Sequence, residues 1–140
     1  MTSVYGATYI KPHESFLGLE QAPTDLHAAV GNVTIWRMPA AVAVQGFSLV
    51  VTETVACDAT PPVLSLAHEA EDGTGEVEIC EITIPDGTVA GTVIQRLLPA
   101  PVTVAYGRKL VLVRKVEGVD AGAEAGLAVF MPLLRSLGTA

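Results

Sequence analysis

Charged side chains are scarce in this sequence: they make up only 16% of its 140 residues, whereas 50% of the residues are apolar. An ordinary soluble domain has about 25% charged residues. Eight basic and fifteen acidic residues give a net charge of −7, which disfavours nucleic acid as a partner because phosphate contacts require clustered Lys and Arg. We therefore expect much of the surface to contact other proteins.

Cysteines and long apolar runs are also few. Cys57 and Cys80 are the only cysteines and form neither a Cys-x-x-Cys motif nor a zinc-binding spacing, so we expect two buried, reduced thiols. No stretch reaches the roughly 18 to 20 apolar residues of a membrane span, and the first residues do not have the pattern of a signal peptide. These absences predict synthesis in a cytoplasm and no membrane partner.

What the sequence does contain is short Val- and Ile-rich runs, which Pro and Gly interrupt about every ten residues. This rhythm predicts an all-β chain, in which about eight or nine strands form one jelly-roll-like, two-sheet β-sandwich. One domain is expected to cover residues 1–140. The predicted strands are 2–10, 33–38, 42–56, 63–68, 76–84, 92–98, 102–106, 109–116 and 127–134.

Residues 11–32 are rich in Pro, Gly, His and acidic residues and lack a sustained period. They predict an extended loop or arm that reaches a neighbouring subunit, because long irregular segments in compact domains are usually functional. Within it, residues 24–30 are expected to form a helical turn that Thr24 or Asp25 caps.

Two strands show a change of phase. In residues 42–56 the alternation switches at Gly46, where we expect a bulge or a corner. In residues 76–84, Val77 and Ile79 are expected to point inward. The phase then changes at Cys80–Glu81, so Ile82 and Ile84 point the same way only if a second bulge intervenes.

Prolines and a Gly-Arg pair predict further boundaries. Pro99 is expected to end the strand 92–98, and Gly107–Arg108 to form a tight hairpin between the next two strands. Pro132 predicts that the last strand lies at a sheet edge, since proline cannot donate to a ladder.

Candidate chemistry is sparse. His13–Ser15 are adjacent on an extended segment, so their side chains point in opposite directions, and no oxyanion hole or nucleophile elbow accompanies them. His68 precedes three nearby carboxylates, but the paired His-x-His of metal-binding cupins is missing. Asp72–Glu76 lacks the spacing of a calcium loop and indicates a plain hairpin connection. We therefore assign no catalytic, cofactor-binding or metal-ligating residue and do not expect an enzyme.

Two other classes of function remain open at this point. A carbohydrate- or receptor-binding sandwich would display aromatic side chains, and Trp36, Tyr5 and Tyr9 are the ones on predicted strands. A small jelly-roll enzyme of the isomerase or dioxygenase type would hold a stoichiometric metal.

The charged residues are segregated along the chain. Acidic residues cluster between 69 and 81, and basic residues between 108 and 115. The two stretches are either solvated faces or complementary patches that bind neighbouring subunits and make assembly sensitive to salt.

Three segments resemble a known family. Ile84–Gly91 reads Ile-Pro-Asp-Gly-Thr-Val-Ala-Gly, Val116–Gly126 is a Gly- and Ala-rich loop before an apolar strand, and Val4–Gly6 opens the first strand. They are similar to segments in the capsid cement (decoration) proteins of tailed bacteriophages, podophage type. The resemblance covers about a third of the chain.

The resemblance implies a structural virion protein with no cofactor. Such a protein is made in the bacterial cytoplasm, sits on the outside of the capsid and cements neighbouring subunits of the major capsid protein against internal DNA pressure. It implies self-association as a homodimer or homotrimer. A carbohydrate- or receptor-binding module of a phage tail is the alternative.

For such a protein, we expect interface residues in the arm, in the basic stretch and in the final strand. They are Phe16, Leu17, Arg108, Lys109, Arg114, Lys115 and Phe130.

Overall fold

A computed structural model describes residues 23–137 of the chain. These residues form eight strands and no helix, so no helix in this range is long and apolar enough to cross a membrane. The strands are β1 Thr24–Asp25, β2 Gly31–Arg37, β3 Val42–Ala56, β4 Val63–Glu69, β5 Val77–Thr83, β6 Val93–Val104, β7 Lys109–Val116 and β8 Ala125–Ser136. The predicted strand 2–10 and residues 11–22 of the predicted arm lie outside the described residues.

The strands form two antiparallel sheets with the orders β1-β8-β3-β6 and β2-β7-β4-β5. The first strand pairs with the last, the second with the seventh, the third with the sixth and the fourth with the fifth. A long hairpin that bends at the β4–β5 connection and then rolls up produces these pairings, which define a jelly roll. The prediction of an all-β, two-sheet sandwich is therefore confirmed.

The inward faces of the two sheets enclose one hydrophobic core. Phe47 of β3 and Phe130 of β8 meet at its centre with their ring centroids 4.5 Å apart. Trp36 of β2 stacks on Phe130 from the opposite sheet at 6.2 Å. Aromatic contacts of this kind add about 0.5–1.5 kcal/mol to the burial of the rings, so these three residues join the two sheets.

The expected bulge at Gly46 is present. The register of β3 shifts between Val44 and Gly46 against both of its neighbours. Gly46 has a φ of +146°, and a Cβ atom there would lie 2.0 Å from the carbonyl oxygen of Arg96 in β6. Only glycine therefore permits β6 to approach β3 this closely.

The predicted strand end at Pro99 is wrong, because β6 continues through Pro99 and Pro101 to Val104. The register places Leu97 opposite Gly46 and Val102 opposite Val44, so the intervening residues form a bulge. Since β6 is the last strand of its sheet, no strand on its outer side needs the N–H groups that its prolines lack.

The helical turn predicted for residues 24–30 is also wrong. Thr24 and Asp25 pair with β8 instead, and Leu26 is fully buried and donates its N–H to the carbonyl of Gly126 at 3.1 Å. Burial of Leu26 therefore holds this segment against the sheet, and β2 begins at Gly31 within the predicted arm.

The predicted hairpin at Gly107–Arg108 is a crossover, since β6 and β7 belong to different sheets. Gly107 N donates to Met38 O at 3.0 Å, and Met38 N donates to Arg108 O at 2.9 Å. The connection is therefore fixed by the segment between β2 and β3 rather than by pairing of its own flanking strands.

In β5, Val77 is exposed rather than inward. Ile79 packs against the core, as expected. The change of register occurs here, one residue before the predicted position, because Ala67 pairs with Glu78 and Leu66 with Cys80, which leaves Ile79 as an extra residue. Val77 lies beside the β4–β5 connection, beyond the reach of the core.

Pro132 does not make β8 an edge strand, because β8 lies between β1 and β3. Pro132 pairs with Phe47 of β3 and is buried, so it lies within the sheet rather than at its edge.

A candidate interaction surface on the outer face of one sheet

The central part of the outward side of the β8-β3-β6 sheet is uncharged and mostly apolar. Ala128, Phe130 and Leu134 of β8 face the core, so its odd-numbered residues point outward. The paired positions form three rows across the strands: Val129–Val50–Val93, Met131–Ser48–Gln95 and Leu133–Gly46–Leu97. We call these nine residues the outer apolar face.

Four large side chains of the outer apolar face are strongly exposed. Val93 is 62% exposed, Leu97 60%, Met131 53% and Val50 39%. None of the nine residues is ionisable, whereas antiparallel sheets usually present polar residues to water. The strand and residue spacings give the face a footprint of roughly 300 Å². The largest apolar patch of a typical monomer covers about 300–600 Å² and is often functional.

Charged residues flank this face at its two ends. Arg135 follows the Leu133 row on β8 and is exposed; it makes no ion pair with a described residue. Glu53 of β3 lies at the opposite end, where it pairs with Leu127. One of its carboxylate oxygens accepts from Gly126 N at 2.9 Å. The apolar rows thus lie between a cation and an anion.

The basic stretch lies in the other sheet, where it meets the acidic stretch of the same chain. Lys109 of β7 lies 3.2 Å from Glu69 of β4. Lys115 lies 2.9 Å from Glu78 and 2.5 Å from Glu81, both in β5. The hydrogen bond from Lys115 lowers the pKa of Glu81. The two stretches are therefore complementary within one chain, because β4 lies between β7 and β5.

The two arginines of the basic stretch also bind their own chain. Arg108 Nε donates to His68 Nδ1 at 2.9 Å. Burial first, and then the charge of Arg108, lowers the pKa of His68. Arg114 donates to the carbonyl oxygens of Asp25 and Ala29 at 2.8 and 2.7 Å. All four basic residues predicted as interface residues thus have intramolecular partners, and their role at an interface stays a prediction.

The carboxylates near His68 are engaged in the same way. Glu71 pairs with Arg37, and Asp72 accepts from Thr74 Oγ1 at 2.7 Å, a bond that lowers the pKa of Asp72. Residues 23–137 contain no group of three His, Cys, Asp or Glu placed to share a metal ion. The segment Asp72–Glu76 forms the hairpin connection between β4 and β5, as predicted.

The other predicted interface residues lie elsewhere. Phe16 and Leu17 are outside the described residues. Phe130 is only 1% exposed and belongs to the core, so the exposure on which its interface role depended is absent. The strand does display its neighbours Val129 and Met131, which the prediction missed. The sequence signal for this surface is the run from Leu127 to Leu134, which is apolar at both odd and even positions. Such a run is typical of a strand that is covered on both faces.

Two of the three segments that carry the family resemblance meet at one end of the sandwich, around Cys57, and the third, Val4–Gly6, lies outside the described residues. Asp86 of the first segment accepts from Cys57 N at 2.9 Å. In the second segment, Asp120 accepts from Asp58 N at 3.1 Å, and a Cβ atom on Gly118 would lie 2.6 Å from Cys57 Sγ. Both segments therefore hold loops together.

The two thiols are free and buried, as predicted. Burial, followed by the charge of Asp120, raises the pKa of Cys57. Burial raises the pKa of Cys80 to about 11. Neither sulfur is therefore activated as a nucleophile at neutral pH.

The chain matches no protein-family model, no curated protein and no solved structure.

Proposed function

We propose that this chain is a structural protein that works by assembling with other protein subunits. Within that class, we propose a capsid cement protein of a tailed bacteriophage, located on the outside of the head. The observation that carries the proposal is the outer apolar face: an uncharged, exposed surface that spans three strands of a jelly roll. A protein subunit that covers this face would remove its apolar side chains from water.

The proposed mechanism is the bridging of neighbouring subunits of the major capsid protein. A protein that binds only the assembled shell stabilises that shell by mass action. An oligomer that engages several sites at once gains avidity, because the second contact becomes intramolecular. Internal DNA pressure must then break several contacts together before the shell opens.

Two of the segments that resemble cement proteins support this function, because they adjoin the sheet that bears the outer apolar face. Ile84–Gly91 runs along β3, where Gly87 N donates to Val55 O at 2.9 Å and Gly91 N to Val51 O at 2.7 Å. The segment thereby extends the sheet that bears the outer apolar face beyond β6. The second segment leads directly into β8, so both adjoin strands that display the face.

Binding to heads tests the proposal. Heads of the encoding phage that lack the cement protein are mixed with the purified chain, and bound copies are counted after sedimentation. The proposal predicts saturable binding in a fixed ratio to the major capsid protein. No sedimentation above the level of an unrelated acidic protein would contradict it.

The carbohydrate-binding alternative depends on displayed aromatic rings. Trp36 is partly buried against the core cluster, and its ring stacks on Phe130. Tyr106 is exposed, in the connection before β7, while Tyr5 and Tyr9 lie outside the described residues. The packing of Trp36 removes the large ring on which a sugar platform would depend, and a glycan array tests what remains.

A further inference from the structure

We propose that the outer apolar face is the interface of a two-fold symmetric homodimer, in which the strands of the two copies run in opposite directions. This inference rests on the proposed function in one respect: it takes the protein subunit that covers the outer apolar face to be a second copy of this chain. A dimer would be one building block of the assembly.

The rows of the face are arranged symmetrically about their centre. The Met131 row lies midway, with the Val129 row on one side and the Leu133 row on the other. A two-fold axis along the Met131 row therefore sets the Leu133 row of one copy on the Val129 row of the other. In that arrangement Gly46 faces Val50 of the second copy, so the position without a side chain accommodates a branched one.

The flanking charges follow the same symmetry. Leu127, which pairs with Glu53, and Arg135 each lie four residues from Met131 on β8. The two-fold axis exchanges the ends of the face and brings Arg135 of each copy to Glu53 of the other. An axis parallel to the strands would instead set like charges together, which is unfavourable. The charges thus select the antiparallel orientation.

The area is sufficient for a reversible dimer. With the two flanking rows included, five rows on three strands cover roughly 500 Å² of each copy, or about 1,000 Å² in total. Specific interfaces start near 1,000 Å² and are standard at about 1,600 Å². An interface at this lower limit is expected to be weak and reversible.

The net charge opposes self-association least at this surface. Each chain carries −7, so most pairs of surfaces on two copies repel each other. The outer apolar face contributes no charge to that repulsion. Two equal flat sheet faces pack about 10 Å apart, as the layers of a sandwich do, and an isologous contact closes without further growth.

Light scattering over a range of concentrations tests the dimer, with Met131→Glu as the disrupting variant. Met131 is 53% exposed and lies on the proposed axis, so the substitution spares the core and sets two carboxylates side by side. Ile35→Glu is the matched control, because Ile35 is 49% exposed on the opposite sheet. We expect wild type and Ile35→Glu to approach twice 14.5 kDa, and Met131→Glu to stay at 14.5 kDa.

Charge reversal tests the orientation. Arg135→Glu should raise the dissociation constant about tenfold, because it sets two carboxylates together at both ends of the dimer. Adding Glu53→Arg should restore most of the affinity. Glu53→Gln is the control for the bond from Gly126, because the amide oxygen still accepts it. Equal affinity of wild type and Arg135→Glu would overturn the antiparallel arrangement.

The same variants separate this inference from the proposed function. A wild-type monomer that binds heads through Met131 would overturn the dimer while the cement function stands. A dimer that Met131→Glu dissociates, but that binds no heads, would support the interface and contradict the cement function. A wild-type dimer that Met131→Glu leaves intact would overturn the interface directly.

Discussion

Replacement of Gly46 by Ala tests the close approach of β3 and β6 that shapes both the core and the outer apolar face. The new Cβ atom would lie 2.0 Å from Arg96 O, whereas ordinary contact begins at 3.4 Å. The strands must therefore separate by about 1 Å, and overpacking of this kind costs about 1–3 kcal/mol. The φ of +146° adds about 1–3 kcal/mol for a residue with a side chain.

The lower entropy of Ala in the unfolded chain offsets about 0.4–1 kcal/mol of this loss. We therefore expect Gly46→Ala to lower the free energy of unfolding by about 3 kcal/mol, a large part of the 5–15 kcal/mol of a typical domain. Urea unfolding, followed by circular dichroism, measures the change. With a slope of about 1.5 kcal/mol per molar urea, the midpoint should fall by about 2 M.

Gly31→Ala is the matched control. Gly31 has a similar φ of +153°, but an added Cβ atom would meet nothing within 4 Å. The control therefore measures backbone strain without the clash, and we expect a loss of about 1 kcal/mol. Equal losses for the two variants would refute the close approach of Arg96 to Gly46.

Three further predictions concern the core, the thiols and the histidine. Phe130→Ala should lower the free energy of unfolding by about 4 kcal/mol in the same urea assay; a loss below 1 kcal/mol would contradict its place in the core. A maleimide should label Cys57 and Cys80 only after unfolding, as mass spectrometry of native and denatured protein would show; rapid native labelling would contradict their burial. The lowered pKa of His68 means that the unfolded chain binds a proton more readily, so its contribution is complete above about pH 6.5 and is lost as the pH falls below that value. The difference between the urea midpoints of wild type and His68→Gln should therefore change between pH 7 and pH 5, and parallel curves would contradict the lowered pKa that burial and Arg108 give to His68.

The local pattern of the sequence predicts much of the fold. The bounds of β3 and β7 agree with the predicted runs 42–56 and 109–116, because alternating apolar residues bounded by Pro, Gly or charges leave few other conformations. The bulge at Gly46 follows from the change of phase in the same way. These features depend on neighbours in the sequence.

The wrong predictions concern segments whose structure is determined by contacts with residues far away in the sequence. Gly107–Arg108 has the composition of a hairpin, but the connection joins two sheets because β7 pairs with β2 and β4. Pro99 does not end β6, since an edge strand needs no donor there. Leu26 holds its segment against β8 because its side chain is buried in the core. None of these partners is near in sequence.

The outer apolar face does not follow from the sequence for a related reason. Charge predicts exposure for the basic residues, and an edge strand inferred from Pro132 predicts exposure for Phe130. The basic residues have partners on neighbouring strands, and Phe130 lies on the inward phase of its strand. The run from Leu127 to Leu134 is apolar at both odd and even positions, which is the sequence signal for this surface. Only the pairing of β8 with β3 shows which of the two sets of side chains points outward.

We propose that this chain reinforces a phage head. The most direct test measures the temperature at which DNA-filled heads without their cement protein release DNA, as purified chain is added and a DNA-binding dye reports the release. We predict that the release temperature rises as sites on the head fill and then levels off at saturation. A release temperature that stays constant while the chain binds would contradict the account.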